Sequence, residues 1–485
     1  MRGVVPGALL LAATACGARG RLNRSDGAGI STSERPAAGV VQTWVTTPDR
    51  RLLLARGADI RLLQSATSGG IPIDVDERVT YQSIVGFGAA LTDASAWLIQ
   101  TRLSPAQRTA LLEELFGRRS GIGLSFTRLT IGASDYARAH YTFDDIPPGE
   151  RDDSLARFSI APNRGDVLPV VKQALAINPQ LAVMATPWSA PAWMKTTGSL
   201  LKGTLRPDAY AAFAEYLRRY VEAYAAEGVP IFALSVQNEP DHEPDDYPGM
   251  RLGAAQRADF VANHLGPLFV RRQVRTRILD WDHNWDQPQS PLEVLADPAA
   301  RRYVSGVAWH CYAGDVSAQS RVHEAHPDKD TYFTECSGGA WAPNWGDNLR
   351  WNVRTLVIGT TRHWARGVLL WNLALDEQHG PHTGGCTDCR GVVTIDSATG
   401  GVTRNEEFYA LAHASRFVRP GARRIASTSG VDGVESVAFR NVDDSSKVLL
   451  VVNTTIEGRT LRVRDATRQF LVVLPAGAVA TYTWR

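Results

Sequence analysis

Eight short apolar runs, separated by helix-patterned stretches, constrain this chain more than any other feature. They are Ser83–Leu91, Gly123–Ile131, Leu181–Trp188, Ile231–Asn238, Thr276–Trp281, Val304–Tyr312, Thr331–Glu335 and Gly367–Leu373. Several are apolar almost without a break, as strands buried on both faces read. Pro207 to Ala226 predicts a helix, with proline near its start, apolar residues at helical spacing and Gly228 past its end. Gln256 to Leu268 and Asn348 to Trp364 follow the same pattern. Eight such units predict an α/β chain with a (β/α)8 TIM barrel over residues 81–400.

Beyond Gly400 the texture changes. Val434–Phe439, Lys447–Asn453, Thr460–Arg464, Phe470–Leu474 and Ala478–Trp484 are short, β-rich and divided by polar turns. Residues 401–485 are expected to form a C-terminal β-sandwich. Residues 41–80 also read as strands that join it, so the accompanying sandwich draws on both chain ends. No repeat of solenoid or propeller period is present.

With 485 residues and 44% hydrophobic content, the chain can bury one large core and a smaller domain. Its 52 basic and 50 acidic residues leave a net charge of +2 and no basic stripe, which excludes an electrostatic grip on nucleic acid. Residues 1–16 read as a signal peptide: Arg2 supplies the charge, Val4 to Ala15 the apolar run and Ala13-Thr14-Ala15 the cleavage site. Cys16 follows at once, as in a bacterial lipoprotein signal, although Ala13 stands where leucine is usual. The run is too short to span a bilayer. Residues 17–40 read as a flexible linker. The expectation is a secreted, extracellular protein, with a lipid anchor at Cys16 as its one route to a membrane.

Barrels of this kind work at the C-terminal ends of their strands. Those ends read Thr92-Asp93, Arg128, Pro187-Trp188, Asn238-Glu239-Pro240, His310-Cys311-Tyr312, Thr334-Glu335-Cys336 and Trp371-Asn372. Glu239 ends the fourth run and Glu335 the seventh, which lie across the barrel mouth from each other. Two facing carboxyls suit retaining glycoside hydrolysis, in which Glu335 attacks the anomeric carbon and Glu239 acts as acid and then base. Asn238 is placed to bond a sugar 2-hydroxyl, and Tyr312 to orient the nucleophile. Arg128 either holds that nucleophile ionised or makes a structural ion pair. His310 is either part of the site or a packing residue. Asp93 either accepts sugar hydroxyls or caps the helix that begins at Ala94. Trp188 and Trp371 would flank the ring with flat faces.

These motifs resemble glycoside hydrolase family 30, the family of glucosylceramidases and microbial β-1,6-glucanases. The resemblance rests on Gly86-Phe87-Gly88-Ala89-Ala90-Leu91-Thr92-Asp93-Ala94, on Thr186-Pro187-Trp188-Ser189-Ala190-Pro191-Ala192-Trp193-Met194-Lys195 and on Asn238-Glu239-Pro240 with Tyr247-Pro248. It continues through Trp309-His310-Cys311-Tyr312, Thr334-Glu335-Cys336 and Trp371-Asn372-Leu373-Ala374-Leu375. It implies double displacement with no cofactor and no metal, and places Asp93, Trp188, Asn238, Tyr312 and Trp371 around a glucose, with Arg128 nearby. The substrate is expected to be a β-glucoside, with a glucosylceramidase-like activity as the main reading and an endo-β-1,6-glucanase as the alternative. The loop Gly384 to Gly391, with Cys386 and Cys389, looks like the β-1,6-glucanase branch. A glucan enzyme should show an open groove beyond the glucose site, and a glycolipid enzyme an apolar rim. A barrel that binds carbohydrate without catalysis is the rival class. His379, His382, Cys386 and Cys389 have zinc-like spacing, but in an exported chain a Cys386–Cys389 disulfide is the stronger reading. Cys311 and Cys336 are expected to be buried thiols.

Overall fold

The computed structural model describes residues 36–64 and 68–485; the expected signal peptide, Cys16 and most of the linker lie outside them. All eight apolar runs become strands of one closed parallel barrel: Gly86–Ala90, Phe126–Ile131, Ala182–Pro187, Ile231–Ser235, Arg277–Asn284, Val304–His310, Asp330–Glu335 and Ala365–Leu370. The eighth strand pairs back with the first.

Side chains two residues apart on a strand point the same way, so the barrel fills in layers. The lower layer is apolar, with Phe126, Met184, Ala233, Leu279, Ala308, Tyr332 and Leu369 drawn from strands two to eight. The first strand contributes Gly88, where a Cβ would stand 1.8 Å from the Phe126 carbonyl oxygen. Two residues further along come Arg128, Thr186, Ser235, His310, Thr334 and Trp371. This mostly polar layer floors the site.

The fifth strand breaks the period. Trp281 pairs with Ala308 and His283 with Trp309, so Asp282 is the extra residue of a bulge. Trp281 and Asp282 take φ of +74° and +55°. The bulge turns Trp281 outward beneath the Arg257 guanidinium, 5.3 Å from the indole, and Asp282 inward.

Helix Tyr210–Ala226 follows a 3-10 turn at Pro207–Ala209. The two other expected helices are each interrupted by a π-helical stretch, Phe260–Leu265 and Asn352–Gly359. Apolar spacing alone does not separate such wider turns from an α-helix.

Strands from both chain ends form a ten-stranded sheet folded into the sandwich. Val40–Thr46 pairs with Val479–Trp484, and Ile71–Ser83 lies between Arg423–Ser427 and Arg459–Asp465. Lys447–Asn453 is buried along its length because both faces are covered. Val448, Leu450 and Val452 join the barrel-side core, while Leu449 and Val451 join the sandwich core. Helix Glu406–Ser415, beyond the expected boundary at 400, packs against the barrel; the Ser415 hydroxyl donates to the Ile122 carbonyl at 2.6 Å. Its His413 bridges Thr481 (2.9 Å) and Thr46 (2.8 Å), pinning strands from both chain ends to the barrel. Burial holds that imidazole down to about 3, so it stays neutral. Among the described residues no helix is long and apolar enough to cross a membrane.

Candidate active site

Past Ser235 the fourth strand leaves its ladder and is tied to both neighbours. The Asn238 N–H donates to the Pro187 carbonyl at 2.8 Å, and the Glu239 N–H to that of Asp282 at 3.1 Å. Glu239 takes a φ of +44°, uncommon for a residue with a side chain and a form of strain that collects at working sites. Glu335 closes the seventh strand. Its Oε1 accepts from the Tyr312 hydroxyl at 3.0 Å, and its Oε2 from the Arg128 guanidinium. One oxygen of each glutamate and a ring nitrogen of His310 all lie within 4.8 Å of one another. Retaining glycosidases keep their carboxyls about 5–5.5 Å apart and inverting ones about 6.5–9.5 Å, so this spacing falls on the retaining side.

His310 joins the two halves of the site. Its Nδ1 lies 3.0 Å from Glu239 Oε1 and its Nε2 3.0 Å from Asp282 Oδ1. It therefore bonds the expected acid/base rather than only packing. Arg128 is fully buried; besides Glu335 it donates to Asn238 Oδ1 and Asp282 Oδ2, both at 2.8 Å. Its bond to the Asn238 oxygen leaves that amide's NH2 for other partners. Asp282, which sequence reasoning missed, also accepts from Thr186 (3.0 Å), Ser235 (2.5 Å) and Thr334 (2.6 Å).

Trp188 and Trp371 are both present, but not on opposite sides of a ring. They stack on each other, with centroids 5.1 Å apart and planes 21° apart, and form one wall. Arg128 lies 4.7 Å from the Trp188 ring. Asp93 stands apart. It is the first residue of helix Asp93–Thr101, whose cap is Thr92, and Arg138 takes both its oxygens at 2.8 and 3.1 Å. A further acid, Asp135, just beyond the second strand, feels the charges of both glutamates. Burial, then the charges of Glu335 and Glu239, push its carboxyl up to about 8 against a hydrogen bond from Trp371. The only trace of Asp135 in the sequence is its position in a loop after a strand end.

Both cysteine pairs are disulfides, with Cα–Cα distances of 5.4 Å for Cys311–Cys336 and 5.6 Å for Cys386–Cys389. The first corrects the expectation of buried thiols. Each of its cysteines sits one residue past its strand, where the register between strands six and seven shifts, so the departing loops set their Cβ directions. The second removes Cys386 and Cys389 as metal ligands. His379 bonds the Cys389 carbonyl at 3.0 Å through Nδ1. The Cys386 loop closes over the site's edge: Tyr136 donates to the Cys386 carbonyl at 2.8 Å and the Gly385 N–H to Asp246 at 3.1 Å.

The charges are strongly coupled. Burial works against a charge on His310, but Glu335, Asp282 and Glu239 prevail and push it up to about 9. Burial would raise Glu239, yet the hydrogen bond and charge of His310 bring it down to about 2. Burial raises Glu335, opposed by His310 and Arg128 and reinforced by Glu239. Asp282 is buried too, but Arg128 and His310 hold it well below the ordinary carboxylate range. Two buried cations thus face three carboxylates, and His310 is bonded to one of them, Glu239, at 3.0 Å.

A barrel whose mouth holds two such carboxyls, one clasped by arginine and tyrosine and the other by histidine, defines a retaining glycosidase. Residues 84–418 match the family model described as "Glycosyl hydrolase family 30 TIM-barrel domain", and residues 421–482 that described as "Glycosyl hydrolase family 30 beta sandwich domain". The chain belongs to glycosyl hydrolase family 30. It is 36% identical over 388 residues to an endo-1,6-beta-D-glucanase of Neurospora crassa, covering 77% of this chain and 79% of the relative. It is 28% identical over 477 residues to the lysosomal acid glucosylceramidase of Mus musculus, covering 93% and 90%. The solved structure of the endo-beta1,6-glucanase BT3312 superposes with a TM-score of 0.85 at 32% identity, covering 92% of this chain and 99% of that one.

Proposed function

We propose that this enzyme cleaves β-1,6-glucan within the chain, with Glu335 as nucleophile and Glu239 as acid/base. The observation that carries the chemistry is the approach of the two carboxyls within 4.8 Å around His310. Glu335 attacks the anomeric carbon while Arg128 and Tyr312 hold its carboxylate. The leaving oxygen takes a proton from Glu239, supplied along the 3.0 Å bond from His310. Glu239 then takes a proton from the water that opens the glycosyl-enzyme, and the β configuration is retained. The free NH2 of Asn238 binds the 2-hydroxyl, Asp135 binds sugar hydroxyls, and the stacked Trp188 and Trp371 offer one apolar face.

The glucan reading is favoured over the glucosylceramide one. Support comes from the higher identity to the 1,6-glucanase and from the rim. Among the described residues, the exposed large apolar side chains beside Glu335 are the aromatics Tyr312, Trp341 and Trp351, with Asp347 and Asn348 between them. Flat faces with hydrogen-bonding neighbours suit sugars, whereas an acyl chain calls for an aliphatic surface. The two disulfides support export to an oxidising compartment through residues 1–16.

The test is turnover of β-1,6-glucan and of glucosylceramide side by side, with the new reducing ends followed by NMR. The expected result is preference for the glucan and a β-anomer that appears first. An α-anomer first, or preference for the glycolipid, would overturn the corresponding half of the reading.

A further inference from the structure

The described residues expose three large aromatic side chains: Tyr312 (47%), Trp341 (54%) and Trp351 (44%). All three line one cavity of about 450 Å³. One of them, Tyr312, bonds Glu335 through its hydroxyl. A second cavity of about 590 Å³ shares Cys311 and Trp351 with the first. Its lining includes Arg354 and Asp315 and, from the sandwich, Glu435. Trp351 thus lines both cavities, the one that includes Tyr312 and the one that includes Glu435 of the β domain.

An exposed indole is poorly solvated, and a soluble protein gathers such surface where a ligand covers it. The surface changes character from one cavity to the other. Near Tyr312 it is aromatic, which suits the apolar faces of sugar rings. Near Arg354 its lining is polar and carries both signs, with Arg354, Arg362, Asp315 and Glu435. A mixed field favours a neutral polyhydroxylated ligand over a charged one, since carboxylates and guanidinium groups each bind pairs of hydroxyls.

We infer that the two cavities together are a binding track for the glucose units of the glucan beyond the reacting one, with Trp351 as its central platform. The inference rests on the β-1,6-glucan reading, and Tyr312, bonded to Glu335, identifies the occupant. The sandwich then forms the far bank of the track as well as bracing the barrel.

The experiment compares kcat/KM on polymeric β-1,6-glucan with that on the shortest aryl β-1,6-glucoside that the wild-type enzyme turns over. Trp351→Ala and Arg354→Gln are measured beside it, with Trp351→Phe as the conservative control. The polymer-to-short-substrate ratio is expected to fall roughly tenfold for Trp351→Ala, the size of losing one well-packed aromatic contact. It should fall less for Arg354→Gln and recover in Trp351→Phe. Because the measure is a ratio, a loss of fold in a variant lowers both terms and does not imitate the result. An unchanged ratio in the two variants, with the wild type active on the glucan, would overturn the track alone. A wild-type enzyme inert on β-1,6-glucan would overturn the substrate reading and the track with it.

Discussion

Asp282 Oδ2 accepts from Arg128 at 2.8 Å, and neither side chain has any exposed surface. From this pair the positions of both glutamates follow. Arg128 reaches Glu335 and Asn238, and Asp282 reaches Glu239 through His310. Asp282→Asn keeps the shape and removes the charge that two buried cations share. Breaking a buried pair in this way costs about 3–5 kcal/mol. The variant should unfold at lower denaturant and lose kcat more than it gains KM. Wild-type stability together with wild-type kcat would show that Asp282 is dispensable.

The two glutamates should separate by the product they give with azide. Glu239→Ala lacks the acid, so glucan cleavage should fall about 10²- to 10⁴-fold. An aryl glucoside with a good leaving group should still load Glu335, and azide should then release a β-glucosyl azide. Glu335→Ala should give the α product, because azide attacks in place of the missing carboxylate. NMR of the azide adducts reads the assignment directly, and exchanged anomers would exchange the roles.

His310 should make the site sensitive to alkali. Its folded-state value is about 9, above the ordinary 6.5, so the native protein holds this proton more tightly than the unfolded chain. The stabilisation is complete below the unfolded value and is lost as pH rises through about 9. The stability gap between wild type and His310→Gln, measured by denaturation across that window, should therefore narrow with rising pH. A gap that stays constant would mean that His310 carries no extra charge in the fold.

The barrel was readable in the sequence because each strand is buried on both faces and its apolar run is nearly unbroken. Glu239 and Glu335 were readable because each closes such a run. Asp282 was not. The run Thr276–Trp281 ends before it, and it faces inward only because the bulge gives strand five one residue more than its neighbour. Asp135 was hidden for a different reason, since it sits in the loop past the second strand, where no period places a side chain. Asp93 follows the first strand, and its pairing with Arg138, 45 residues on, is a contact that no local period shows. Strand-end position identifies candidates, and the partners that decide among them are long-range contacts.

The two disulfides should differ in what they stabilise. Cys311–Cys336 closes a 25-residue separation and Cys386–Cys389 one of 3. On loop-closure grounds the first is worth about 2–4 kcal/mol and the second much less. Position adds to the contrast. Cys311 lies between His310 and Tyr312, and Cys336 follows Glu335, so the first bridge fastens together the loops that carry the Tyr312–Glu335 hydrogen bond. Replacing Cys311 and Cys336 by serine should lower Tm clearly and reduce kcat on every substrate, since the nucleophile loses its orienting partner. Replacing Cys386 and Cys389 should leave Tm close to wild type. Its effect should appear in KM, through the loop that meets Asp246 and Tyr136 at the edge of the site. Thermal melts and Michaelis parameters of the two double variants distinguish these outcomes, and equal losses of Tm would mean that closure of the longer loop is not the source of stability.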